Sequence, residues 1–141
     1  MAVYTCTTQE GVLSAQQRTV ISAAITRIHT AHTEDRPNMV WVIFETLPPD
    51  RIYEGGKPAV KAFIVGLFRE NRSTDVKAQV LKELCSMYTN ATGLSANQLW
   101  VSLTELAASD AMMFGAILPE LGHEAEWLAQ LGSAQEGART W

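Results

Sequence analysis

Apolar and polar residues follow two different spacings along the first third of the chain, and these spacings predict a strand, a helix and a second strand. Val3–Thr7 is short and rich in β-branched and aromatic residues, a composition that favours a strand. Ser14 can cap a helix, because apolar residues recur every three or four positions after it. Met39–Phe44 is a near-continuous apolar run and predicts the second strand.

The middle of the chain repeats this order of elements. An apolar run at 62–68, interrupted by Gly66, predicts a strand. Ser73 can cap a second helix, which Gly93 ends. Leu99–Leu103 then predicts the last long strand of the chain.

A shift of 59 residues superimposes the two segments. It aligns NMVWVIFETL at 38–47 with NQLWVSLTEL at 97–106, and it places Ser14 on Ser73. Because the match extends over strands and helix alike, we interpret the chain as a duplicated strand–helix–strand unit.

The duplication predicts an α+β fold, in which two β-α-β units with right-handed crossovers form a four-stranded sheet with two helices on one face. We divide the predicted single domain into unit one (2–47), an inter-unit loop (48–60), unit two (61–106) and a C-terminal tail (107–141). In this tail the pattern predicts a short capped helix, a break at Pro119 and a second helix that ends at Gly132.

The predicted strands at 39–44 and 62–68 are apolar on both faces, whereas two helices can cover only one face of a sheet. The second apolar face must therefore be buried against something else, and further copies of the chain are the simplest partner. We therefore expect an obligate homo-oligomer. Trp41 and Trp100, which the repeat relates to each other, are interpreted as core residues.

Composition and charge narrow the class of protein. With 47% hydrophobic and 18% charged residues in 141 positions, the chain can bury a core, and its net charge of −4 argues against a nucleic-acid partner. No apolar run approaches the roughly 18 residues of a membrane span, and no signal peptide is recognisable, so we expect a cytoplasmic protein without a membrane partner. Cys6 and Cys85 lack metal-binding spacing, which predicts free thiols and neither metal nor cofactor.

Two arginines stand out from this acidic background. Arg69 and Arg72 lie at the junction between a predicted strand and the helix that Ser73 caps. Guanidinium groups and the free N–H groups of a helix start both favour anions, so the pair is either a carboxylate clamp or part of a solvated loop. His29, near the end of the first predicted helix, is either a structural histidine or an active-site residue.

Several segments resemble, in the same order, segments of the cis-3-chloroacrylic acid dehalogenases of the tautomerase superfamily. The resemblance spans roughly residues 2–131 and is carried by AITRIH (24–29), LFRENRSTDVK (67–77), LWVSLTE (99–105), FGAILP (114–119) and GHEAEWL (122–128). It implies a duplicated β-α-β fold that assembles as a trimer, in agreement with the expectation from the two apolar faces.

The resemblance also implies a set of site residues. Arg69 and Arg72 fall on the arginines that bind the substrate carboxylate, and His29 falls on the family histidine. The amino-terminal proline of the family, exposed when the initiator methionine is removed, is replaced by Ala2. Ala2 therefore offers an amine only if Met1 is removed.

Two further positions depart from the family pattern. Ser102 stands at the position of an assisting tyrosine, and Met113 at that of a glutamate that activates water. We interpret Ser102, Met113 and Phe114 as pocket wall. The resemblance thus implies a protein that binds a small carboxylate or 2-oxo acid and has weak or altered tautomerase or hydratase-type activity. The alternatives are a non-catalytic carboxylate-binding relative and a structural trimer that has lost activity.

Overall fold

Two strand–helix–strand units form the body of the protein in a computed structural model, which describes the backbone of residues 1–138 and the side chains of residues 1–132. Unit one contains β1 (Ala2–Gln9), α1 (Ala15–His32) and β2 (Val40–Leu47). Unit two contains β5 (Ala62–Arg69), α2 (Thr74–Thr92) and β6 (Leu99–Leu106). The predicted α+β architecture is confirmed.

The helix starts are fixed by side chains that the sequence analysis identified. The Ser14 hydroxyl accepts a hydrogen bond from the Gln17 amide at 3.1 Å, and the Gln17 side chain accepts one from the Ser14 amide at 2.8 Å. Ser73 caps α2 by accepting from the Val76 amide at 3.1 Å. These bonds satisfy N–H groups that have no partner inside the helix. Gly93 ends α2 in the left-handed region, at φ 76°.

The two units join along the middle of one sheet. The strand order is β2-β1-β5-β6, with parallel pairing inside each unit and antiparallel pairing between β1 and β5. Ala2 lies opposite Phe68 in this central pair. The chain start is therefore brought next to the end of β5, where Arg69 lies.

The core lies between the sheet and the two helices. Alternate residues of the strands point to the helices, as the two-residue period of a strand requires. The fully buried members of this core include Tyr4, Cys6, Ile21, Ile25, Ile64, Val80 and Leu84. Burying each of the larger aliphatic side chains contributes about 1.5–3 kcal/mol, so this layer supplies most of the driving force for folding.

The other face of the sheet is apolar and uncovered in the single chain. Its exposed side chains are Trp41 (49%), Ile43 (47%), Val65 (38%), Leu67 (40%) and Trp100 (62%). The prediction that the two tryptophans belong to the core of the chain is wrong, because strand alternation points them away from the helices. We call this surface the open face.

The connections contain two short hairpins. Within the predicted inter-unit loop, β3 (Tyr53–Glu54) pairs with β4 (Lys57–Pro58). After β6, the predicted short helix is wrong: a single 3-10 turn at Ala108–Asp110 leads into β7 (Met112–Met113) and β8 (Ala116–Ile117). Phe114 and Gly115 join the last pair with φ values of 55° and 82°. Two consecutive positive φ values form a tight hairpin turn and exclude a helix.

The tail covers the chain start. α3 (Glu124–Ala138) breaks at Gly132, at φ 37°, where the sequence predicts the end of a helix. Trp127 and Leu128 of α3 form a second apolar cluster with Met1, Met39, Met113 and Leu118. The predicted tail extends to residue 141, and its residues 139–141 lie outside the described part. None of the described helices combines the length and the apolar character that a membrane crossing requires.

The open face generates a prediction about assembly. Val65→Glu places a charge on this face, whereas Val20→Glu places one on the surface of α1, where Val20 is 55% exposed. If copies of the chain associate through the open face, Val65→Glu dissociates the assembly, because burying an unpaired carboxylate is costly. Sedimentation velocity should show a lower mass for Val65→Glu and the parental mass for Val20→Glu. A monomeric parent protein would contradict the expectation.

Gly66 generates a prediction about packing. A Cβ at this position would lie 2.6 Å from a ring carbon of Tyr4 and 2.9 Å from Leu103. We expect Gly66→Ala to lower the free energy of unfolding by about 1–3 kcal/mol, because the Tyr4 ring must move within a packed core. Denaturant titration measures the change. An unchanged midpoint would show that the ring is not confined.

Candidate functional site

The strongest candidate site is a group of buried ionisable residues at the end of the sheet where β1 begins and β5 ends. It comprises the Met1 amine, Tyr4, His29, Asp35, Arg69, Arg72 and Glu124. We call it the Asp35 cluster. The antiparallel pairing of β1 with β5 places Met1 beside Arg69, while the end of α1 supplies His29 and the loop after it supplies Asp35.

Asp35 is the centre of the cluster, and its side chain is fully buried. Oδ2 accepts hydrogen bonds from His29 Nε2 at 2.7 Å and from Arg72 Nη2 at 3.1 Å, and it contacts the Met1 amine. Oδ1 accepts from Arg69 Nη2 at 2.9 Å. Burial alone raises the pKa of Asp35, but the hydrogen bond from His29 and the charge of the Met1 amine hold this pKa well below its usual range. Asp35 is therefore ionised.

His29 is bonded at both ring nitrogens. Nε2 faces Asp35, and Nδ1 lies 2.9 Å from the hydroxyl of Tyr4. Burial lowers the pKa of His29 and raises the pKa of Tyr4, so the imidazole is neutral and the phenol keeps its proton at neutral pH. The hydrogen-bond network then assigns the imidazole proton to Nε2, which donates to Asp35, while Tyr4 donates to Nδ1. With both nitrogens bonded, His29 can affect a ligand only through these partners.

Arg69 connects the sheet to the tail. Its side chain is 1% exposed. Nη1 donates to the Pro119 carbonyl at 2.7 Å, and Nη2 donates to Asp35 and, at 2.8 Å, to Glu124. Glu124 also accepts from the Gly122 amide at 2.9 Å. Arg69 is therefore held by two carboxylates of its own chain, and losing one partner would leave a buried charge uncompensated.

Arg72 has fewer hydrogen-bond partners than Arg69. Its guanidinium lies over the Phe68 ring, 5.5 Å from the centroid, and its side chain is 7% exposed. Among the residues that the structure describes, the guanidinium makes one hydrogen bond, to Asp35, and its buried Nε has no partner. Because a guanidinium carries five N–H donors, Arg72 has capacity for a further acceptor.

The chain start is buried in the same place. Met1 is 2% exposed and packs against Met113. Burial lowers the pKa of the Met1 amine to about 6, because it outweighs the attraction of Asp35, and Arg69 and Arg72 act in the same direction as burial. At neutral pH most of this amine is therefore the free base. Ala2 is 3% exposed, and with Met1 in front of it its nitrogen is an amide that takes no proton.

The structure brings some of the predicted site residues together and separates others. His29, Arg69 and Arg72 share the Asp35 cluster, and Ala2 adjoins it. Met113 helps to line a small apolar cavity of about 90 Å³, together with Met1, Ala2, Trp41, Leu67 and Met112. Phe114 packs near Trp127, with ring centroids 6.1 Å apart. Ser102 pairs with Val65 and lies on the open face, away from the cluster of its own chain.

Sequence reasoning missed the role of Asp35, Tyr4 and Glu124. Asp35 lies in TEDRPN, a polar stretch that is typical of a solvated loop, and nothing in its spacing marks it as buried. Glu124 lies within GHEAEWL, a segment that the resemblance identified without assigning this residue. Among the described residues, no group of three or more His, Cys, Asp or Glu side chains is arranged to hold a metal ion.

Comparison with solved structures identifies the fold. The crystal structure of native Ps01740 is 33% identical, over 79% of this chain and 99% of that chain, with a TM-score of 0.78. N1, a member of the cis-3-chloroacrylic acid dehalogenase family, has a TM-score of 0.90 at 23% identity, over 96% of both chains. Native fused 4-OT has a TM-score of 0.74 at 16% identity, over 82% of this chain and 94% of that chain. No family model and no curated protein matched the sequence.

These similarities cover both β-α-β units, and the match to N1 extends into the tail. The chain has the fold of the tautomerase superfamily.

The buried amine predicts how stability depends on pH. The pKa of the Met1 amine falls from 8.0 to about 6 on folding, so the unfolded chain binds more protons between these values. The lowered pKa of His29 acts in the same direction. We expect the free energy of unfolding to rise by about 1–3 kcal/mol from pH 6 to pH 8. Denaturant titrations at constant ionic strength test this, and a flat or falling profile would contradict it.

Proposed function

We propose that the protein binds a small carboxylate or 2-oxo acid at the Asp35 cluster through Arg72, assisted by Arg69, and that it has weak or altered tautomerase or hydratase-type activity. The observation that carries this proposal is the unused hydrogen-bonding capacity of Arg72 beside a buried amine. A buried guanidinium donor without a partner costs free energy, and a carboxylate supplies the acceptor that it lacks.

Arg72 is better placed than Arg69 to contact a ligand. Arg69 uses Nη1 and Nη2 on Pro119, Asp35 and Glu124, whereas Arg72 uses only Nη2, on Asp35. The buried Nε of each arginine has no partner among the described residues, so the difference lies in the Nη groups. The start of α2 follows Arg72 and adds N–H groups that favour an anion. The cavity of about 90 Å³ beside Met1 and Ala2 is lined by apolar residues and by neither arginine, so it suits the apolar part of a small acid and not its carboxylate.

An α-amine is the group best suited to proton transfer. Ketonisation of an enol moves one proton from oxygen to carbon without any redox change, and a base with a pKa near neutrality serves such a step well. The Met1 amine, with its pKa lowered to about 6, meets this requirement. If Met1 is removed, the new α-amine belongs to Ala2 and has a reference pKa of about 8. His29 would then act through Asp35 as a positioning residue.

The same residues explain why we propose weak activity. General acid–base groups contribute about 10²–10⁴ in rate each. A primary amine stands in place of the family proline, and Ser102 and Met113 stand in place of the tyrosine and glutamate that the resemblance implies. The side chains of Ser102 and Met113 cannot replace the proton transfers of a tyrosine and a glutamate.

A non-catalytic carboxylate-binding protein is the second candidate. It is favoured by the pairing of both arginines with Asp35, which leaves the cluster close to charge balance. Such a protein would bind small carboxylates without turning over any of them.

We further propose that the chain forms a homotrimer through its open face. Fused 4-OT has been described as a symmetric and as an asymmetric trimer, and the exposed tryptophans of this chain form a surface of the required apolar character. Ser102 lies on that face, so any part it has in a site requires a neighbouring subunit.

Kinetic assays test the proposed activity. Phenylenolpyruvate ketonisation and the hydration of 3-chloroacrylate and propiolate should proceed above background. Arg72→Ala should lower kcat/KM about 10- to 100-fold, because a charged hydrogen bond to the carboxylate is lost. Arg27→Ala, an exposed arginine on α1, should leave the rate unchanged. Rates at background that Arg72→Ala does not alter would exclude the proposed tautomerase or hydratase-type activity.

Calorimetry and intact mass separate the remaining alternatives. Binding of phenylpyruvate that Arg72→Ala abolishes, without any turnover, would identify the non-catalytic candidate. The intact mass decides whether Met1 or Ala2 provides the amine.

A further inference from the structure

We propose that Asp35 is an internal substitute for the ligand carboxylate, and that it determines how tightly the arginine pair binds an external one. The proposal rests on the proposed function for the class of ligand. Neither the resemblance nor the comparisons assign a role to this residue.

The geometry is that of a complete carboxylate receptor. The Met1 amine, His29, Arg69 and Arg72 come from four places in the chain and converge on one carboxylate. We call these four groups the donor socket. A carboxylate offers about four lone-pair sites, and Asp35 directs its two oxygens to all four donors. An external carboxylate that bound at the same place would compete with Asp35 for these donors.

The charges of the cluster also indicate that Asp35 opposes the binding of an external carboxylate. Two guanidinium groups face two carboxylates, those of Asp35 and Glu124, while Tyr4 and His29 are neutral. The Met1 amine is mostly unprotonated at neutral pH. An external carboxylate would therefore add an uncompensated negative charge to a buried site, which is unfavourable. Tight binding of an external carboxylate therefore requires that the Asp35 side chain leaves the donor socket or that the Met1 amine becomes protonated.

Asp35 can be removed without removing the donor socket. It lies in the loop after α1, where Thr33 Oγ1 accepts from its amide at 3.3 Å, and its side chain alone enters the socket. In Asp35→Ala, the four donors surround an empty space of about the size of one carboxylate group. A small carboxylate that enters this space should restore the missing contacts, and formate is the best probe because of its size.

The experiment compares Asp35→Ala with two matched variants. Glu34→Ala removes the neighbouring exposed carboxylate, and Asp35→Asn keeps the shape of the side chain but not its charge. Thermal unfolding is measured in sodium formate and in sodium chloride at equal ionic strength. We expect Asp35→Ala to have a lower Tm than the parent in chloride, and formate to raise that Tm saturably. The parent and Glu34→Ala should not respond, and Asp35→Asn should respond less, because its amide fills the space.

If Asp35→Ala is unfolded in chloride, the same proposal predicts that formate restores its native circular dichroism. An Asp35→Ala protein that formate affects no more than chloride does, whether folded or unfolded, would overturn the inference. Equal formate responses of Asp35→Ala and Glu34→Ala would also overturn it.

Binding measurements separate this inference from the proposed function. Calorimetry with phenylpyruvate should show binding to Asp35→Ala at least about tenfold tighter than to the parent, since the competing charge is absent. If the parent binds through Arg72 as tightly as Asp35→Ala does, the inference is wrong and the proposed function stands. If Asp35→Ala binds and the parent does not, the inference stands and the proposed function of the parent chain is wrong.

Discussion

A single buried carboxylate, that of Asp35, joins parts of the chain that are far apart in sequence. It contacts the chain start, the end of α1, the end of β5 and the loop before α2, and through Arg69 it reaches Glu124 of the tail. A charged group without solvent is tolerated only when its partners are in place, so these elements must be ordered together. The position of the tail over Met1 depends on the same contacts.

In the described part of the chain, the buried network of charged and polar groups lies at the end of the unit-one helix and has no counterpart at the equivalent position of unit two. His29 and Tyr88 occupy equivalent positions 59 residues apart, and both are fully buried or nearly so. His29 is bonded to Tyr4 and Asp35, whereas the Tyr88 hydroxyl has no partner among the described residues. The two units thus share a backbone plan and differ in the polar groups buried at the end of each helix. A duplicated scaffold can specialise one copy because the core packing tolerates either side chain.

Much of the fold could be predicted because its signals are local. The caps at Ser14 and Ser73, the stop at Gly93 and the apolar strand runs depend on residues close in sequence. The hairpin after β6 was missed because Phe114 adopts a positive φ, which no local pattern of apolar residues indicates. The tryptophans were assigned to the core because apolar character alone does not reveal which face of a sheet the helices cover.

For this protein, the sequence by itself determined the order of elements, the duplication and the position of two arginines at a helix start. These depend on periodicity and on residue types, which act over a few positions. Only the tertiary structure decided that Asp35 enters the arginine site, that Arg69 is held by acidic partners and that Ser102 lies on the opposite face of the sheet. The physical reason is that burial and charge compensation depend on distances between atoms, and sequence separation does not specify those distances.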